Sequence, residues 1–120
     1  MMMRISLNEK GTMKYPKVSL LLLGVLAACP AWAEEVYELV IQDHRFTPAV
    51  LSVPANKKIK VIVKNQDATP EEFESFDLNR EKVVSGKSKI MVFIGPLKPG
   101  HYKFFGEFHP DTAQGVLEAK

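Results

Sequence analysis

From residue 36 onward the chain consists of short runs rich in β-branched and aromatic residues, separated by proline, glycine and polar turn residues. The clearest run, residues 58–64, places Ile59, Val61 and Val63 on one face of an extended chain and charged residues mostly on the other. This alternation is typical of a strand that is buried on one side only. About eight such strands at regular spacing predict an all-β sandwich and leave no segment with the period of an amphipathic helix.

The alternation also assigns strands and interior positions along this part of the chain. The predicted strands are residues 36–41, 50–53, 58–64, 73–76, 82–84, 90–94, 102–105 and 116–118. The side chains expected in the interior are Val40, Val53, Val61, Val63, Phe76, Val92, Ile94, Phe104 and Val116. One domain of residues 34–120 is large enough to fold around a single core without disulfides.

Residues 1–33 are predicted to be an N-terminal extension and a secretory signal peptide. Lys14 and Lys17 precede an apolar run at residues 18–28, and an Ala-x-Ala sequence ends at Ala33. A basic start, a short apolar stretch and a small-residue cleavage site are the three parts of such a peptide. Cleavage there predicts a periplasmic protein, and the apolar run is too short for a stable membrane span. Met13 is an alternative start to Met1.

Cys29 is the only cysteine of the chain and permits a second interpretation of the leader. Residues 26–29 read Leu-Ala-Ala-Cys, which resembles a bacterial lipobox, so lipidation at Cys29 is the alternative to plain secretion. With either outcome, residues 34–120 contain no thiol that could form a disulfide or bind a metal.

The charge of the predicted domain argues against a nucleic-acid partner. The full chain has 16 basic and 14 acidic residues. The first 33 residues hold four of the basic residues and one of the acidic ones, which leaves 12 against 13. Nucleic-acid binding needs a clustered basic surface, and a nearly balanced charge does not predict one.

Residues 102–116 carry the most specific motif. They contain an aromatic strand with Tyr102 and Phe104, then Gly106, His109 and Gly115. The segment resembles the last hairpin of the cupredoxins, small copper-binding Greek-key β-sandwiches. In that family a strand of this kind delivers a Cys thiolate, a His follows three residues later, and a Gly opens the final strand. Gly106 stands at the position of the Cys, so the resemblance implies a copper protein without the ligand that defines blue copper.

The resemblance extends over most of residues 36–119. Residues 43–48 with 51–55 and residues 63–67 resemble the opening and the strand-to-turn segment of the family. By spacing, Glu72 is expected at the position of the first His ligand. A carboxylate there and no Cys make the chain similar to the EfeO-type cupredoxin-like domains of bacterial iron-uptake systems. The similarity implies a periplasmic metal-binding or electron-relay module that assists iron uptake beside an iron permease and a periplasmic iron-binding protein.

The candidate metal ligands follow from the residue types near these positions. The expected set is His109, Glu72, Glu107, Glu74 and His44. Imidazole together with carboxylates suits Cu(II) or iron rather than Cu(I), which prefers sulfur, so a copper or iron ion is the expected cofactor. For each residue a structural interpretation stays open: a turn-capping His109, a solvated acidic edge for the glutamates, and a surface His44.

An enzymatic role has little support in the sequence. The chain lacks the sequence contexts of a Ser-His-Asp triad, a phosphate-binding loop and a zinc Cys/His pair, so no catalytic residue is assigned. The alternatives to a binding or relay module are a copper-dependent ferroxidase of an iron permease system and a metal-free cupredoxin scaffold for partner proteins.

Overall fold

The structure is a computed structural model that describes residues 35–120. The predicted signal peptide, its cleavage site and Cys29 lie outside the described residues. The nine strands are β1 (Glu35–Gln42), β2 (Arg45–Thr47), β3 (Val50–Val53), β4 (Ile59–Asn65), β5 (Glu71–Ser75), β6 (Arg80–Val84), β7 (Ser88–Ile94), β8 (Gly100–Gly106) and β9 (Gln114–Ala119). In this part of the chain no helix is long and apolar enough to cross a membrane.

The strands form two sheets with the orders β2-β1-β4-β7 and β3-β9-β8-β5-β6. This is the architecture expected of a Greek-key β-sandwich, so the fold-class prediction is confirmed. Two strand pairs, β1 with β4 and β3 with β9, are parallel, and the other pairs are antiparallel. Each sheet therefore contains both parallel and antiparallel pairs. Between β1 and β4, and again between β3 and β9, the chain crosses to the other sheet before it returns to pair in parallel.

The core lies between the sheets and is organised around three phenylalanines. Phe46 packs edge-on against Phe104 with ring centroids 5.0 Å apart, and Phe73 lies 5.4 Å from Phe104. Burial of apolar surface is the dominant favourable term in folding, and an aromatic side chain contributes a large area of it. Six predicted interior residues are buried as expected: Val53, Val61, Val63, Val92, Ile94 and Phe104.

Three predicted interior residues do not lie in the core. Val40 and Val116 are only partly buried, while their neighbours in the chain, Ile41 and Leu117, are fully buried. Alternate residues of a strand face opposite sides of the sheet. A prediction shifted by one residue along the strand therefore assigns an outward-facing side chain to the core. The burial of Phe46 on the short strand β2 was not predicted either, since three residues are too few to show alternation.

Phe76 is the third residue that was predicted to be interior but is not. It follows the end of β5, is 77% exposed, and its ring lies 5.5 Å from that of Phe105 on the outer surface. Phe76→Ala is expected to change the free energy of unfolding by less than about 0.5 kcal/mol, as is usual for surface substitutions. Chemical denaturation measures this difference. A loss of several kcal/mol would show that the Phe76 side chain is buried in solution.

Candidate metal centre

Two loops and one strand bring His44, Glu71 and His109 together at one end of the sandwich. His44 lies in the turn between β1 and β2, Glu71 is the first residue of β5, and His109 lies in the loop between β8 and β9. One potential ligand atom from each of the three residues lies within 4.8 Å of the others. The cluster therefore consists of two imidazoles and one carboxylate.

Glu71 is the most buried member of this group. It is 1% exposed, and its Oε1 lies 2.8 Å from Nδ1 of His109. Its Oε2 accepts hydrogen bonds from the backbone N–H groups of Phe108 at 2.8 Å and Glu72 at 3.0 Å. A buried carboxylate without partners would cost several kcal/mol, so these three contacts are what permit it to remain in the interior.

Gly106 provides the space that the Glu71 carboxylate fills. A Cβ at position 106 would lie 2.6 Å from Cδ and 2.8 Å from Oε1 of Glu71, and 2.7 Å from Cβ of Ala113. Gly106 also donates its backbone N–H to the carbonyl of Ala113 at 2.8 Å, which holds the loop close. A side chain at 106 and the present position of Glu71 are therefore mutually exclusive. The space beside position 106, where the cupredoxin resemblance places a thiolate, is filled by a carboxylate from another strand.

His44 is held against His109 by its turn and by Asp67. The two imidazole rings are stacked, with centroids 3.6 Å apart and planes 14° from parallel. His44 has a left-handed backbone with φ of 57°, which lets its N–H donate to Oδ2 of Asp67 at 3.0 Å, while the N–H of Asp43 donates to Oδ1 at 2.8 Å. The ring Nδ1 of His44 lies 3.4 Å from the same carboxylate. His44 is thus fixed at both its backbone and its ring.

The electrostatics of Asp67 favour a cation at this end of the sandwich. Burial raises the pKa of Asp67. The hydrogen bonds donated by the backbone of His44 and Asp43, with the charges of His44 and His109, outweigh that effect and hold the pKa below its ordinary value. Asn65 fixes the turn by accepting the Asp67 N–H at 3.0 Å and donating to the carbonyl of Thr69 at 2.8 Å. Asp67 therefore supplies a negative charge beside the two imidazoles.

The structure brings together only two of the five predicted ligands, His44 and His109. The prediction that Glu72 points toward His109 is wrong, and Glu71 takes that place. In β5, Glu71, Phe73 and Ser75 face inward and are buried, while Glu72 and Glu74 face outward. Alternation alone does not decide between the two glutamates. The apolar Phe73 shares the face of Glu71, whereas Phe76, just after the strand, shares the face of Glu72, and the prediction of an interior Phe76 favoured Glu72.

Two of the other predicted ligands, Glu72 and Glu74, lie on the outer face of the second sheet, and Glu107 lies in the turn after β8 close to them. Glu72, Glu74 and Glu81 offer carboxylate oxygens within 4.8 Å of one another, and Glu107 is close enough to repel the first two. A hydrogen bond with Glu81, then burial, then repulsion by the neighbouring carboxylates raise the pKa of Glu72 to about 7. Burial and the charges of Glu81 and Glu107 also raise the pKa of Glu74.

This acidic cluster gives the stability of the protein a predicted pH dependence. The pKa of Glu72 in the folded protein lies above its ordinary value of 4.5. The contribution of protonated Glu72 to the free energy of unfolding is therefore fully present below pH 4.5 and is lost as the pH rises through about 7. Glu72→Gln, which keeps a neutral side chain at every pH, should raise the melting temperature at pH 8 and change it little at pH 4.

Thermal unfolding of both proteins across that pH range measures the effect. Glu118→Gln is the control, because Glu118 lies in β9 next to His101 and outside the acidic cluster. An equal change at pH 4 and pH 8 for Glu72→Gln would contradict the predicted repulsion among the glutamates.

Comparison with known proteins supports the family resemblance at the level of sequence. The family model described as the cupredoxin-like domain matches residues 17–119. The chain is also similar to an uncharacterized protein of Rickettsia prowazekii (strain Madrid E), with 50% identity over 80 residues, which cover 67% of this chain. The matched stretch spans 64% of that relative, so the chain accounts for less than two thirds of its length.

Solved structures with the same fold share little sequence with this chain. Auracyanin A, a blue copper protein of Chloroflexus aurantiacus, superposes with a TM-score of 0.63 at 14% identity and covers 73% of this chain and 100% of its own. Amicyanin of Paracoccus versutus gives 0.57 at 17% identity, covering 78% and 87%. A purple cupredoxin of Nitrosopumilus maritimus gives 0.56 at 16% identity, covering 70% and 99%. At these identities the likeness establishes the fold alone.

Proposed function

The chain belongs to the cupredoxin-like family, and from this premise we propose that it binds one Cu(II) ion through His44, Glu71 and His109. The observation that carries the proposal is the convergence of two imidazoles on a buried carboxylate at the end of the sandwich. Imidazole nitrogen and carboxylate oxygen are ligands that suit Cu(II), which also stands highest among the divalent metals in general affinity order.

The distance between the donor atoms of Glu71 and His109 is compatible with a shared metal ion. Ligand atoms bound about 2.0 Å from an ion at right angles to each other lie about 2.8 Å apart. The Glu71 Oε1 and His109 Nδ1 atoms are 2.8 Å apart. The His109 side chain is 31% exposed and the Glu71 side chain 2%, so the imidazole faces the entry side and the carboxylate forms the floor. The donors are therefore arranged before a metal arrives, which lowers the cost of ordering them.

Each residue has a defined task in such a centre. Glu71 supplies an anionic oxygen, Oε1, while the Phe108 and Glu72 amides hold its other oxygen in place. Asp67 orients His44 and balances positive charge. Bound copper would supply one-electron exchange. Binding needs neutral imidazoles and an ionised carboxylate, so affinity is expected to fall at acid pH.

The spectrum of the copper-loaded protein tests this proposal. Adding Cu(II) to metal-free protein is expected to give one tight equivalent and only the weak absorption of nitrogen and oxygen ligands. The intense blue band arises from a Cys thiolate, and residues 35–120 contain no cysteine. Calorimetry gives the stoichiometry, and absorption with electron paramagnetic resonance gives the ligand set. No binding at micromolar concentration would leave the metal-free scaffold as the better function.

We further propose that the protein works in the periplasm and assists iron uptake beside an iron permease and a periplasmic iron-binding protein. The support for this step is the resemblance to EfeO-type domains, which rests on the absence of a Cys at position 106 and on the adjacent carboxylates of Glu71 and Glu72, of which Glu71 contacts His109. Deletion of the gene should slow growth on limiting ferrous iron, and a His109→Ala copy should fail to restore it. Normal growth of the deletion strain would remove the iron-uptake role and leave copper binding intact.

A ferroxidase activity is the alternative within the same pathway. A domain with one metal centre holds one electron at a time, whereas reduction of dioxygen to water takes four. We therefore propose binding or electron relay as the primary role. Stopped-flow mixing of Fe(II) with the protein, with and without copper, separates the two, because only a ferroxidase accelerates Fe(II) oxidation over many turnovers.

A further inference from the structure

We propose a second binding site, for an oxyanion of the phosphate type, in an open cleft at the ends of β4 and β7. The cleft has a volume of about 600 Å³, and Lys64, Lys87 and Lys89 line it. Gln42, Gln66 and Ser88 add amide and hydroxyl groups. None of these residues belongs to the metal centre, so the site does not depend on the proposed copper function.

The charge of the cleft is positive, and no residue that lines it is acidic. Lys64 and Lys89 are direct cross-strand partners, a placement in which like charges destabilise a sheet. Lys64 has an ion pair with Glu38 at 2.9 Å, outside the cleft, whereas the ammonium of Lys87 contacts a backbone carbonyl. With Lys64 paired to Glu38, an anion in the cleft would mainly offset the charges of Lys87 and Lys89.

Lys87 is positioned by a tightly packed turn. Its φ of 54° lies in the left-handed region, its N–H donates to the carbonyl of Asp67 at 2.8 Å, and its Nζ donates to the carbonyl of Gln66 at 2.6 Å. The neighbouring Gly86 lies so close to the β4–β5 turn that a Cβ would be 2.0 Å from the carbonyl oxygen of Ala68. The β6–β7 turn is thus locked against the β4–β5 turn, which fixes one wall of the cleft before a ligand binds.

The ligand chemistry follows from the donors. Ammonium, amide and hydroxyl groups donate hydrogen bonds, and such contacts to an ionised oxygen are about twice as strong as neutral ones. An oxyanion with two or more negative charges can accept from several of them at once. A free phosphate compound and the phosphate of an anionic lipid headgroup share this chemistry, since the cleft is open to the surface.

Calorimetric titration of the purified, metal-free protein with inorganic pyrophosphate tests the site. We expect binding that weakens with added salt, and a loss of at least about tenfold in affinity for Lys87→Gln with Lys89→Gln, because each removes a charge-assisted contact. Lys58→Gln is the matched control: it removes one surface charge just before β4, at the opposite end of that strand from Lys64. His109→Ala should bind pyrophosphate like the wild type, which separates this site from the metal centre.

Vesicles distinguish the two sources of phosphate. Co-sedimentation with vesicles of phosphatidylcholine containing phosphatidylglycerol, compared with phosphatidylcholine alone, should depend on the same two lysines if the source is a lipid headgroup. Pyrophosphate binding without vesicle binding supports a free phosphate compound as the ligand. The proposal is overturned if neither probe binds, or if the double variant and Lys58→Gln behave alike in both experiments.

Discussion

Replacing Glu71 by Gln is expected to weaken Cu(II) binding on the order of a hundredfold, since loss of a residue that merely orients a ligand already costs about 10–100-fold. The substitution keeps the size of the side chain and removes its charge. The amide can still accept a hydrogen bond from the Phe108 N–H, so the loop should keep its position. His109→Ala should have an effect at least as large, because it removes a nitrogen ligand.

Two control variants make this result specific. His101→Ala removes an exposed histidine of β8 whose contact is Glu118, and Glu72→Gln removes the neighbouring carboxylate, which faces the other side of the sheet. Both should bind copper like the wild type in calorimetry. Equal affinity for Glu71→Gln and the wild type, or a large loss for Glu72→Gln, would show that the ion lies on the outer face instead.

The contrast between Glu71 and Glu72 also shows how far the sequence determines the site. Alternation in residues 58–64 predicted the fold class and the burial of Val61 and Val63. Three apolar side chains in succession lie on one face of this strand, whereas the other face carries lysines, so only one orientation buries the apolar face. In β5 the same rule is ambiguous, because Phe73 shares a face with Glu71 and Phe76 shares one with Glu72. Spacing from the family pattern also pointed to Glu72, and only the burial of Phe73 and the exposure of Phe76 in the structure select Glu71.

Other features of the site could not be predicted from local sequence. The stacking of His44 on His109 joins residues 65 positions apart and depends on a left-handed turn at His44. The burial of Phe46 depends on the pairing of β2 with β1, which brings Ile41 opposite it. Contacts of this kind depend on packing between segments that are distant in sequence. The local periodicity of strands or helices does not predict them.

Gly106→Ala is expected to destabilise the protein by about 1–3 kcal/mol, the usual cost of adding a methyl group to a packed interior. The new Cβ would lie 2.6 Å from the Cδ of Glu71 and 2.7 Å from the Cβ of Ala113. Glu71 is the neighbour that can move, since its side chain is longer than that of Ala113. Displacing its carboxylate would also break the contact with His109, so copper affinity should fall together with stability.

A double-mutant cycle tests whether Glu71 is the group that fills this space. In a Glu71→Ala background the Cδ and Oε1 atoms are gone, so adding Gly106→Ala should cost less than it does in the wild type, by about 0.5–3 kcal/mol of coupling. Denaturant unfolding of the four proteins gives the coupling directly. Equal costs in both backgrounds would show that the carboxylate lies elsewhere. If the coupling is found, Gly106→Cys alone should not create a thiolate–copper band, because the sulfur and the Glu71 carboxylate need the same volume.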